Sequence, residues 1–205
     1  MSTIPELETS DRFLVQQVFK PIANEYRISV PTPGSKDEGR PVLFVKQKKL
    51  KIREDIRFRT SQDDTAPHAF MIKARTVFEF RGRHDVLDAD DNPVGMLEKA
   101  FGLSLLRSHW RVKDPNGTEL LEAHESSWLI AIVRRFADLG PDWFSLLEWL
   151  PFNFTLKSGG EQVGTYKRVL GKFRDRYVLE LEPGFGADRR LVIAFSIALD
   201  ALQDR

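Results

Sequence analysis

Residues 191–202 read Leu-Val-Ile-Ala-Phe-Ser-Ile-Ala-Leu-Asp-Ala-Leu, the longest apolar run of the chain, broken only by Ser196 and Asp200. Arg189 and Arg190 precede it, Arg205 follows, and Asp188 stands where a helix cap belongs, so a helix from 189 to about 203 is predicted. Crossing a hydrocarbon layer roughly 30 Å thick takes about 20 residues, so this segment is too short to span a membrane. It is confined to a protein interior or an interface, and a helix with no polar face belongs inside a core. The rest of the chain must then build a wall around it.

Nearly everything before that helix reads as wall. Phe13-Leu14-Val15, Tyr26-Arg27-Ile28-Ser29-Val30 and Val42-Leu43-Phe44-Val45 are extended in pattern, and Leu50, Ile52, Ile56 and Phe58 recur at even spacings with charged residues between them. Polar loops interrupt at 34–39 and 61–65. Further on, Val86-Leu87-Asp88 turns through Ala89-Asp90-Asp91-Asn92-Pro93 and returns as Val94-Gly95-Met96-Leu97-Glu98-Lys99. Trp110-Arg111-Val112-Lys113 turns through Asp114-Pro115-Asn116-Gly117, a sequence suited to a type I turn with glycine at a hairpin bulge. Phe154 to Lys157 and Glu161 to Tyr166 flank Ser158-Gly159-Gly160 in the same manner. Successive hairpins make an antiparallel meander, and a meander of this length removes its exposed edges by closing.

One stretch departs from the strand pattern. Ser126-Ser127 precedes Trp128, Leu129, Ile132, Val133 and Phe136 at helical spacing, with Gly140-Pro141 ending the run and a second short helix predicted over 142–150. The fold class expected is therefore mainly β: a closed antiparallel barrel of about twelve strands around a buried C-terminal hydrophobic helix, with a helical insertion near residues 126–150, all in one domain over 1–205.

These stretches resemble the LURP-one-related proteins and the wider tubby C-terminal-like superfamily, which includes the phospholipid scramblases. The resemblance rests on Val45-Lys46-Gln47-Lys48 with Leu50, on the hairpins at 86–99 and 112–117, and on Arg176-Tyr177-Val178-Leu179-Glu180-Leu181-Glu182-Pro183-Gly184 running into the apolar helix. It covers residues from about Phe13 to Leu202. It implies a twelve-stranded barrel around a central hydrophobic helix. The cysteine cluster and proline-rich leading tail of animal scramblases are missing, which weighs against scrambling, and no phosphoinositide-contacting position of the tubby proteins transfers residue by residue.

Composition limits the function classes. The 205 residues carry 31 Lys+Arg against 30 Asp+Glu, a net charge of +1, so no global field gathers nucleic acid. No cysteine is present, which rules out disulfides, thiolate metal sites and a cysteine nucleophile and favours a reducing cytoplasm, with peripheral attachment to a membrane as the refinement. Met1 to Ser10 lack the basic-then-apolar pattern of an export signal. The segment Asp88-Ala89-Asp90-Asp91-Asn92 has carboxylates at alternate positions, as a calcium loop begins. Pro93 stands where the sharp-turn glycine should be and Lys99 where the bidentate glutamate should be, so an acidic hairpin turn is expected. The histidines His68, His84, His109 and His124 show no close ligand spacing, and a tight turn at 114–117 would place His109 beside Glu122 and His124 beside Arg107, not facing each other. No nucleophile elbow or phosphate loop occurs, so neither catalytic residues, nor a metal, nor a cofactor is assigned.

Two basic clusters remain. Lys46, Lys48, Lys49, Lys51, Arg53, Arg57 and Arg59 put seven cations into fourteen residues, and Lys167, Arg168, Lys172, Arg174 and Arg176 form a second group. An outer barrel wall must be charged somewhere, so a solvated surface is their plain reading. The functional reading is a headgroup patch of Lys46, Lys48, Lys49, Lys51, Arg53, Lys167, Arg168, Lys172 and Arg174, each cation worth on the order of 1 kcal/mol at an anionic surface. Trp128, Trp143, Phe144 and Trp149 give the insertion three of the chain's four tryptophans, suited to packing on the barrel or a partner, or to a lipid interface. The expected function is non-enzymatic binding of anionic phospholipid. A protein-interaction module without lipid affinity and scramblase-like lipid handling are the alternatives.

Overall fold

A computed structural model of the chain describes residues 4–19, 23–35, 39–48, 55–73, 82–100, 109–125, 153–169 and 176–201. Helix α1 (Pro5–Thr9) opens it. Strands β1 (Arg12–Phe19), β2 (Ala23–Pro31), β3 (Gly39–Lys48), β4 (Ile56–Arg59), β5 (Phe70–Lys73) and β6 (Arg83–Asp88) follow. They continue with β7 (Pro93–Ala100), β8 (His109–Lys113), β9 (Glu119–Glu125), β10 (Asn153–Ser158), β11 (Glu161–Arg168) and β12 (Arg176–Leu181), and helix α2 (Arg189–Ala201) comes last. Each strand pairs antiparallel with the next, and β12 returns to pair with β1, from Arg12 opposite Glu180 to Gln16 opposite Arg176, so the sheet closes into a twelve-stranded barrel. The expected helices at 126–150 lie outside the described residues.

Period-two alternation decides which side chains face inward. Phe13 and Val15 on β1, Tyr26 and Ile28 on β2, Trp110 and Val112 on β8, Phe154 and Leu156 on β10, and Tyr177 and Leu179 on β12 are all buried, while their neighbours in sequence are more exposed, except Ser29 at the bulge in the β2–β3 pairing. Helix α2 occupies the lumen they surround. From Leu191 to Leu199 no residue is more than 3% exposed, the continuous burial that an all-apolar helix requires. The buried polar side chain in this stretch, Ser196, donates its hydroxyl hydrogen to the Ile193 carbonyl, 2.7 Å away.

The helix enters at a defined place. Asp188 caps it, its Oδ1 accepting the Arg190 backbone N–H at 2.8 Å. Arg189 ties the entry to the other end of the chain, donating to Asp11 Oδ1 at 2.6 Å, to the Ser10 carbonyl at 3.3 Å, and to the carbonyls of Phe185 and Ala187 at 2.6 and 2.8 Å. Just inside, Gly95 of β7 lets the helix approach the wall: a Cβ there would stand 2.8 Å from a Leu191 methyl and 2.4 Å from the Lys113 carbonyl oxygen. α2 therefore lies closest to β7.

Because the strands run up and down, the barrel has two distinct ends. The entry rim carries α1, the start of α2 and the turns after β2, β4, β6, β8, β10 and β12. At the opposite rim β1, β3, β5, β7, β9 and β11 end and their successors begin.

Candidate functional site

The opposite rim gathers the strand ends that lead to both basic clusters and to the tryptophan-rich segment. β3 ends at Lys48, just before residues 49–54, and β11 ends at Arg168, shortly before 170–175. Residues 126–152 connect the last residue of β9 to the first of β10, again at this rim. Lys46 and Lys167 project outward and are exposed, and Arg168 is half-buried, its backbone N–H donating to Asn153 Oδ1 at 3.2 Å. Lys48 belongs to β3, while Lys49, Lys51, Arg53, Lys172, Arg174, Trp128, Trp143, Phe144 and Trp149 lie outside the described residues.

Lys46 and Lys167 share a rim, not a point. Between β3 and β11 stand β2, β1 and β12, and four strand spacings of about 4.8 Å put roughly 19 Å of wall between them. Lys46 lines an open groove of about 440 Å³ with Arg27 and Arg59, against Glu25 and Asp64. Its ammonium is paired with Asp64, and that hydrogen bond and charge hold it above its ordinary pKa. Arg27 lies over the Phe44 ring at 6.0 Å, and Arg59 donates to the Ala66 carbonyl at 2.9 Å. Lys46 therefore has to exchange Asp64 for any external anion.

The entry rim holds a cleft of about 550 Å³ between α1, the turn joining β6 to β7 and the start of α2. Two of its charged groups are paired with each other. Arg190 holds Asp188 through Nη2 at 2.6 Å and Nε at 3.1 Å. Asp88 accepts the backbone N–H groups of Asp90 and Asn92 at 2.9 and 2.8 Å and the Asn92 amide at 3.2 Å, so the acidic segment 88–92 forms the expected hairpin turn. Burial works to raise the Asp88 pKa, but the bonds from Asn92 and Asp90 and the nearby Arg190 charge outweigh it and hold the carboxyl below the usual carboxylate range.

The histidines require a correction. His109 and His124 stand directly opposite each other on β8 and β9, with ring centroids 4.5 Å apart and planes 26° from parallel. Asp114 donates its backbone N–H to Thr118, one residue beyond the turn read from the sequence, and Gly117 takes φ of 88° to permit it. A bulge then leaves Leu120 unmatched, since Lys113 pairs with Glu119 but Val112 with Leu121. Two slips of one residue bring the rings face to face. The expected proximity of His109 to Glu122 is also present, as a diagonal contact of 3.1 Å. Periodicity and turn type alone give no sign of the bulge.

Over residues 42–200 the sequence matches the LURP-one-related family, and with the closed barrel and central helix already described, the chain belongs to that family. None of the curated proteins and none of the solved structures compared with the chain matches it. Among the described residues no helix is long and apolar enough to cross a membrane.

Proposed function

We propose that this barrel is a non-enzymatic binding protein that recognises anionic phospholipid headgroups at a membrane surface through the rim opposite the helix entry. The observation that carries the reading is topological: Lys46, Lys48, Lys167 and Arg168 sit at or near strand ends of one rim, and the segment bearing Trp128, Trp143, Phe144 and Trp149 is joined to that same rim. Cations together with amphipathic aromatics are the composition that docks a protein at a charged lipid interface without inserting it. The remaining cluster residues, Lys49, Lys51, Arg53, Lys172 and Arg174, follow in chain segments adjoining the same strand ends and are assigned to the same patch. The lumen is filled by α2, which favours an external headgroup contact over an enclosed lipid.

Vesicle flotation tests it. The chain floats with vesicles containing phosphatidylserine or phosphoinositide and not with neutral phosphatidylcholine, and flotation falls as salt rises. Reversing Lys46, Lys167 and Arg168 to Glu together lowers binding by about tenfold or more, at on the order of 1 kcal/mol per cation. No flotation with anionic vesicles at low salt overturns the proposal in favour of a protein ligand.

A further inference from the structure

We propose that His109, His124 and Glu122 form a binding site for a single divalent transition-metal ion of the zinc class on the outer wall of the barrel. The three side chains are fixed by the β8–β9 ladder, two directly opposite each other and the third two residues along the same face of β9. Glu122 spans the pair, its Oε2 lying 3.1 Å from His109 Nε2 and its Oε1 3.1 Å from His124 Nε2. One donor atom from each residue can be chosen so that all lie within 4.8 Å of one another.

Those distances approach what a metal asks for. Zinc bound at about 2.1 Å in a tetrahedron separates its ligand atoms by about 3.4 Å, so a small opening of the His–Glu contacts admits an ion. Two imidazoles and a carboxylate are the donors of open zinc sites, in which water fills the fourth position, and imidazole favours zinc, copper and nickel over magnesium and calcium. All three side chains are between 26% and 42% exposed, so an ion reaches them from solvent and keeps a water. Of the cations across the ladder from Glu122, Arg111 is drawn to Glu119 at 3.4 Å and Lys157 stands opposite on β10.

Calorimetric titration of the full chain with zinc chloride in a non-coordinating buffer is the test. One zinc is expected to bind per chain, with affinity reduced by on the order of tenfold or more in His109→Ala, His124→Ala and Glu122→Gln and unchanged in His68→Ala and His84→Ala. Far-UV circular dichroism of each variant verifies the fold. In the wild-type protein the ring nitrogens of His109 and His124, and of no other histidine, shift on zinc addition in long-range proton–nitrogen spectra, a readout that needs no variant. Absence of saturable binding, zinc binding indifferent to both histidine substitutions, or equal binding of magnesium overturns the site.

Discussion

The indole of Trp110 on β8 meets the phenyl ring of Phe195 on α2 edge to face, with centroids 6.3 Å apart and planes at 68°. Both side chains are essentially inaccessible, and the contact joins the wall to the helix inside the barrel. An edge-on aromatic pair of this kind adds about 0.5–1.5 kcal/mol beyond the burial of its area. The helix is thus a structural member of the core.

Gly95 marks the closest approach of helix and wall. Gly95→Val forces a branched side chain into the Leu191 methyls and the Lys113 carbonyl, and a loss of about 3 kcal/mol in urea unfolding is expected. A loss below about 0.5 kcal/mol would show that the helix does not press on β7.

Ser196 separates a tolerant substitution from an intolerant one at the same buried position. Ser196→Ala removes a hydroxyl bonded only within the helix, and a change of about 1 kcal/mol or less follows. Ser196→Asp places a carboxylate in an apolar lumen with no buried cation among the described residues to meet it, and the cooperative thermal transition should disappear. A wild-type melting temperature for the aspartate variant would contradict the enclosed helix.

Arg189 makes four contacts, two of which, to Ser10 and Asp11, link α2 to the chain just before β1. Truncation to Ala is expected to cost about 2–3 kcal/mol, since it strips a charged hydrogen-bonding group from a site where Arg189 is 11% exposed. Arg189→Lys recovers little, because an ammonium cannot reproduce the planar fork. Amide exchange of β1, followed by mass spectrometry, should accelerate in both variants.

Asp88 gives the acid limb of stability a named contributor. Its pKa is lower in the folded chain than in the unfolded one, so the unfolded state holds more protons as the pH drops. The contribution is complete above the unfolded value of about 3.9 and is lost as the pH falls through the folded pKa. Asp88→Asn should be less stable than wild type at neutral pH and should show a shallower decline between about pH 5 and 2, measured by urea midpoints.

The parts legible in the sequence are those whose cause is local. An all-apolar run with a capping aspartate announces α2, and turn residues at 114–117 and 158–160 announce their hairpins. Helix α1 escapes notice because five residues give too short a period, leaving Pro5 as its main signal. The register bringing His109 to His124 depends on a bulge at Leu120, which no side chain there demands. The basic clusters are plain in the sequence, but their common rim follows only from the order of the strands, a property of the closed ladder and not of any one segment.

That ladder is filled by an element that follows every strand in the chain. A ribosome therefore releases all twelve staves before the peg they must grip, and Phe13, Trp110 and Leu179 wait with their greasy faces uncovered until the final turns of helix emerge. Loss of the segment Arg189–Ala201 leaves those lumen-facing side chains without the element that covers them, an exposed apolar interior of the kind that drives aggregation.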